Sequence, residues 1–172
     1  TLYVAHHGSA NLSALAIGAD GTPTPLSDPI PTQEHPRSLT VTPDGRFLYV
    51  GHGSPFTEPT NDLVRYTIGT DGTPGAPHTA ATTGGFQTGS GVTPDGRFLY
   101  IAATTTDELY GFRIGTDGDL TATPGSPHRV ADHPEGIAIA PDGRHLFLAS
   151  PGQTRPDAQR AVSSFTVGAD GE

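Results

Sequence analysis

The 172-residue chain has no cysteine, no methionine and no tryptophan, and its nine basic residues are all arginine. Without cysteine there is no disulfide framework, no thiolate metal site and no thiol nucleophile. No apolar run approaches the roughly 18 residues that cross a bilayer as a helix. Charged residues make up only 16% of the chain, and their balance is acidic, with a net charge of −9. That sign argues against a nucleic-acid backbone or an anionic membrane as partner. Several catalytic signatures are also missing: there is no Gly-x-Ser-x-Gly elbow, no P-loop and no His-Glu-x-x-His.

Glycine (23) and proline (17) are plentiful. They fall between alternating apolar runs, which marks them as turn residues rather than signs of disorder. The segment Thr42-Pro-Asp-Gly-Arg-Phe-Leu-Tyr-Val50 returns as Thr93 to Ile101 and, more loosely, as Ala140 to Leu148. The opening Thr1-Leu-Tyr-Val4 reads as the tail of a further copy. The steps between the repeated aspartates, Asp44, Asp95 and Asp142, are 51 and 47 residues. Short strands and turns repeating at that interval predict a radial β-repeat.

The fold class predicted is all-β, a β-propeller of four-stranded antiparallel blades, with repeats at about 1–34, 35–85, 86–132 and 133–172. Within a unit the first strand enters Pro-Asp-Gly, a tight-turn sequence. The second is rich in aromatic and β-branched residues, and a variable loop such as 51–61 leads to the third. An Asp-Gly turn opens a proline-bearing fourth strand, which suits a sheet edge. The first unit lacks its first strand and the last lacks its fourth, so 14 strands are expected, a partial ring of about 3.5 blades. Such an arc leaves raw edges and an uncovered blade face. The expectation is that remaining blades come from a longer chain or another chain, the alternative being a compact four-bladed ring with frayed ends.

The unit Arg37 to Val50, with third strands ending in Asp-Gly turns (Tyr66 to Gly72, Phe112 to Gly118), resembles the lactonase-type seven-bladed propellers. These include the propeller-type 6-phosphogluconolactonases and carboxymuconate-lactonising enzymes. The resemblance covers the whole chain but about half of a full member. It implies a lactone hydrolase acting on a small acidic lactone, with a site headed by Gly-Pro-Arg-His. The nearest match is His35-Pro36-Arg37-Ser38, where serine stands in place of the histidine.

Aligning the repeats places His35 and His133 in one register, and Arg37, Thr88 and Glu135 in another, at the heads of innermost strands. His6 and His52 share a third register, at the ends of second strands. All should meet at one rim of the channel, where a rigid scaffold presents functional loops. As an enzyme site, Arg37 would hold a carboxylate or phosphate. His52 or His35 would act as general base, with Glu135 as orienting carboxylate. His6, His35, Gln87, Thr88 and His133 are the expected ligand-binding residues. His6, His52 and Glu135 are ligand types a divalent ion accepts, but no recognised ligand spacing is present, so neither a metal nor another cofactor is predicted. The bland alternatives are histidines that only make turns and an Arg37–Glu135 pair that only joins blades. The partners expected are a small acidic sugar or lactone, a glycan or a protein. The overall reading is a secreted ligand- or partner-binding scaffold, with lactone hydrolysis as the alternative function and a cytoplasmic location as the alternative site.

Overall fold

The computed structural model describes residues 1–53, 62–152 and 160–172. Every regular element among the described residues is a β-strand. Most of the variable loop expected over 51–61 lies outside them.

The first blade contains β1 (Leu2–His6), β2 (Asn11–Ile17), β3 (Pro23–Pro25) and β4 (Ile30–Pro31). The second contains β5 (Pro36–Val41), β6 (Phe47–His52), β7 (Asp62–Ile68) and β8 (Pro74–Thr82). The third runs through β9 (Gln87–Val92), β10 (Phe98–Ala103), β11 (Glu108–Ile114), β12 (Leu120–Ala122) and β13 (His128–Arg129). The fourth has β14 (Gly136–Ile139), β15 (His145–Ser150) and β16 (Ala161–Thr166). Within each blade, strands pair antiparallel, each with its sequence neighbour except that β4 pairs with β2 and β13 with β11. The architecture is that of a partial propeller.

Sixteen strands rather than 14 are formed among the described residues. The difference is local. β3 and β4 both pair with β2, and β12 and β13 both pair with β11, so two outermost strands are each broken in the middle. The breaks fall at Leu26-Ser-Asp-Pro29 and Thr123-Pro-Gly-Ser-Pro127. Proline has no N–H to give to a ladder.

The repeated turn explains the repeated letters. The Thr42 hydroxyl donates to Asp44 Oδ1, and the same carboxylate oxygen accepts the Arg46 N–H at 3.1 Å. Gly45 takes the left-handed conformation at φ 71°. Thr93, Asp95 and Arg97 repeat the arrangement.

Among the described residues, three cores lie between blades. Leu12 packs with Leu48, Val50, Val64 and Tyr66. Phe47, Tyr49 and Leu63 pack with Leu99, Ile101 and Phe112. Phe98, Tyr100 and Leu109 pack with Leu146 and Leu148. β6 and β10, with a blade on either side, are buried along their whole length. β15 alternates between exposed and buried, because its blade has a neighbour on one face only. The arc is open at that face, and Phe147 and Val162 are 42% and 76% exposed there.

Candidate functional site

The innermost strands β5, β9 and β14 stand side by side, with β1 against β5. Their heads share one rim. A cleft of about 420 Å³ opens there, lined by Ala5, His7, Pro36, Arg37, Thr88 and Glu135. Each of the four blades contributes to it.

Two β-bulges aim the side chains. Pro36 pairs with His52 and Ser38 with Gly51, so Arg37 is the extra residue between them. Gln87 pairs with Ala103 and Gly89 with Ala102, leaving Thr88 as the extra residue of the next blade. A bulge adds one residue to one strand only, which redirects that side chain. Arg37 and Thr88 therefore face the cleft while Ser38 and Gln87 turn inward. Glu135 arrives at the residue before β14, with its N–H bonded to the Ala149 carbonyl at 2.9 Å.

Arg37 is held from behind. Its Nε donates to the Gly53 carbonyl at 2.8 Å, and its guanidinium lies 5.2 Å from the Phe86 ring centroid. Neither Nη atom has a protein partner among the described residues, so the fork is left for a ligand. The Thr88 hydroxyl reaches Thr104 Oγ1 and, at 3.2 Å, the Pro134 carbonyl. Glu135 pairs with His133 Nε2 at 3.3 Å rather than with Arg37. The His133 backbone N–H donates to Asp107 at 2.8 Å.

His35 and His133 share a further trait: both adopt left-handed backbone, at φ 56° and 61°. That conformation costs a non-glycine residue roughly 1 kcal/mol or more, and such strain collects where side chains must be aimed. His35 Nδ1 is buried with no partner among the described residues.

Three expected site residues stand elsewhere. His52 is fully buried below the rim. Its Nδ1 meets the Asp62 carbonyl at 3.0 Å, and its Nε2 meets the Thr32 hydroxyl at 2.8 Å. A carbonyl only accepts, so Nδ1 carries the proton and Nε2 takes the threonine O–H. Burial lowers its pKa. A ring engaged at both nitrogens cannot be the general base of this cleft. Gln87 is likewise fully buried, donating to Thr83 Oγ1 at 3.1 Å. His6 is half-buried and bonded to Ser13 Oγ at 2.8 Å, off the cleft lining.

His7 is not among the site residues expected from the sequence. It lies just beyond β1, and its ring centroid is 4.8 Å from that of His35. Loss of hydration, then the Arg37 and His35 charges, lower its pKa. Adjacency to His6 was the only available signal, and it does not tell which of two histidines faces inward.

The chemistry present is thus an arginine fork and an imidazole on one wall, with a histidine-paired carboxylate and a hydroxyl on the other. No group of three or more metal-ligating side chains occurs among the described residues.

No family model and no curated protein sequence matches the chain. Solved structures do match. A Bacteroides uniformis protein described as a candidate 6-phosphogluconolactonase superposes with a TM-score of 0.78 at 19% identity, over 99% of this chain and 48% of that one. This chain has the fold of half a lactonase-type propeller. The Pseudomonas aeruginosa periplasmic gluconolactonase PpgL gives a TM-score of 0.71 at 15% identity, over 90% of this chain and 48% of that one. Kuenenia stuttgartiensis hydrazine synthase gives 0.66 at 18%, over 95% and 53%. The last is a reminder that this half-propeller fold also occurs in a protein with quite different chemistry.

Proposed function

We propose that the rim cleft binds a small acidic sugar or its lactone, and that hydrolysis of the lactone is the reaction it supports. One observation carries this reading: residues from four separate blades, Arg37, Thr88, Glu135 and His7, border a single cleft. Arg37 anchors the ligand's carboxylate or phosphate through its two Nη groups. Glu135 takes a proton from a water molecule as that water adds to the lactone carbonyl. The ring C–O bond then breaks, and the alkoxide leaving group recovers a proton from the Glu135–His133 pair. The fold likeness to lactonase propellers agrees with this chemistry without assigning it. Because the chain spans about half the length of those structures, the opposite side of the cleft falls to further blades, from a longer chain or another one.

Ser38 favours a second reading, binding without turnover. It stands where the resemblance implies a histidine, and its hydroxyl is buried without a partner among the described residues. On that reading the protein is a secreted scaffold for a glycan or protein.

The test is hydrolysis of 6-phosphoglucono-δ-lactone, whose phosphate supplies the anionic group, followed by pH-stat against the spontaneous rate. Glu135→Gln should lower kcat at least about 100-fold, and Arg37→Ala should mainly raise KM for an acidic lactone. Gluconate binding with hydrolysis no faster than in buffer would favour the scaffold. Activity unchanged by both substitutions would remove this site.

A further inference from the structure

We infer that His7 is a second cation of the cleft, one that joins Arg37 in gripping the ligand's anionic group only when protonated, so that anion and proton bind together. The inference deepens the reading of the cleft as an anion site and rests on it.

His7 lines the cleft beside Arg37, and its ring lies 4.8 Å from that of His35 at a 45° tilt. Three groups able to carry positive charge thus crowd one wall. His35 has little freedom to retreat, since its backbone is held at φ 56°. In the ligand-free protein this crowding resists a proton on His7: lost hydration, Arg37 and His35 all act in that direction. A carboxylate docked on the Arg37 fork reverses the local field. An imidazolium beside it is then stabilised, and His7 changes from a neutral bystander to a donor in a charge-assisted hydrogen bond.

Other charges near the wall act differently. Glu135 lines the same cleft and is itself paired with His133. Glu34 is exposed on the approach to β5, and His6 is bonded to Ser13. None of these supplies a cation that an anion on Arg37 would meet directly.

Linkage makes the consequence measurable. If one proton is taken up with the anion, affinity changes by up to about tenfold per pH unit across the His7 titration. Gluconate is the probe, because its carboxylate stays ionised from about pH 5 to about pH 8. Calorimetric titration of the full chain should show gluconate binding tightening as pH falls, with proton uptake revealed by two buffers of different ionisation heat. His7→Asn keeps a hydrogen-bond donor that never charges, and should bind with the weak high-pH affinity at every pH. Wild-type binding without pH dependence would overturn the inference and leave the anion site standing. A slope that persists in His7→Asn would do the same and would shift the proton to Glu135 or His133. Absence of gluconate binding at any pH would overturn both readings together.

Discussion

Tyr49 in the second blade donates its phenolic hydroxyl to the carbonyl oxygen of Gly118 in the third, at 2.7 Å and 69 residues away. The same joint recurs from Tyr3 to Gly72 at 2.7 Å and from Tyr100 to Gly171 at 2.8 Å. In each case a second-strand tyrosine clasps the Asp-Gly turn of the following blade. Arg46 and Arg97 add a second link, to the carbonyls of Thr116 and Ala169. Desolvation, with smaller effects of Asp170 and Asp95, pushes the Tyr100 hydroxyl up to about 12, so this joint stays protonated in ordinary buffers.

Tyr49→Phe removes one hydroxyl and leaves a carbonyl without its partner inside a packed joint. The expected loss is about 1–3 kcal/mol, read by urea unfolding. Tyr3→Phe, at a more open joint, should cost less.

The fourth blade has Phe147 in the tyrosine register. With Phe147 42% and Val162 76% exposed on one face, the chain by itself should self-associate as its concentration rises. Phe147→Ser with Val162→Lys should reduce that association in sedimentation velocity, while the far-UV spectrum stays unchanged. Equal association of the variant would show that another surface is responsible.

Acid should weaken the fold first through His52. Its buried ring has a lowered pKa, so the unfolded chain takes up a proton before the folded one does. Stability is therefore full above the ordinary histidine value near 6.5 and declines as pH falls below it, by at most about 1.4 kcal/mol per pH unit. His52→Asn should flatten that slope while lowering stability at neutral pH. The turn carboxylate of Asp44 is held low by the Thr42 hydroxyl and then the Arg46 N–H. Its contribution is lost only at lower pH, as its own folded-state value is crossed.

Glycine at 89 holds two innermost strands together. A Cβ there would sit 1.9 Å from the Glu135 carbonyl oxygen, backbone that cannot swing aside. Gly89→Ala should cost about 1–3 kcal/mol or more and carry Glu135 away from the cleft, so stability and gluconate binding fall together. Gly136→Ala is the control: its nearest contact would be the Ala149 Cβ at 3.7 Å, and both properties should survive.

Much of the arrangement is legible in the letters. Thr-Pro-Asp-Gly-Arg-Phe-Leu-Tyr encodes a hairpin whose Thr–Asp–Gly turn is held locally, and whose Arg and Tyr reach the next blade in the same way wherever the letters repeat. The blades, their order, the open ends and the shared rim all follow from it. The two broken outer strands do not, because proline marks a sheet edge without saying whether the edge stays continuous.

Which rim residues meet a ligand was decided only by the tertiary structure. Side chains alternate with a period of two, so one inserted residue changes which of them point into the channel. The bulges at Arg37 and Thr88 turn those two into the cleft and leave Gln87 and His52 buried, although the sequence leads one to expect all four at the same rim. His7 reaches the cleft because the chain has already left β1. Pairing between strands, not the sequence within one, sets that geometry.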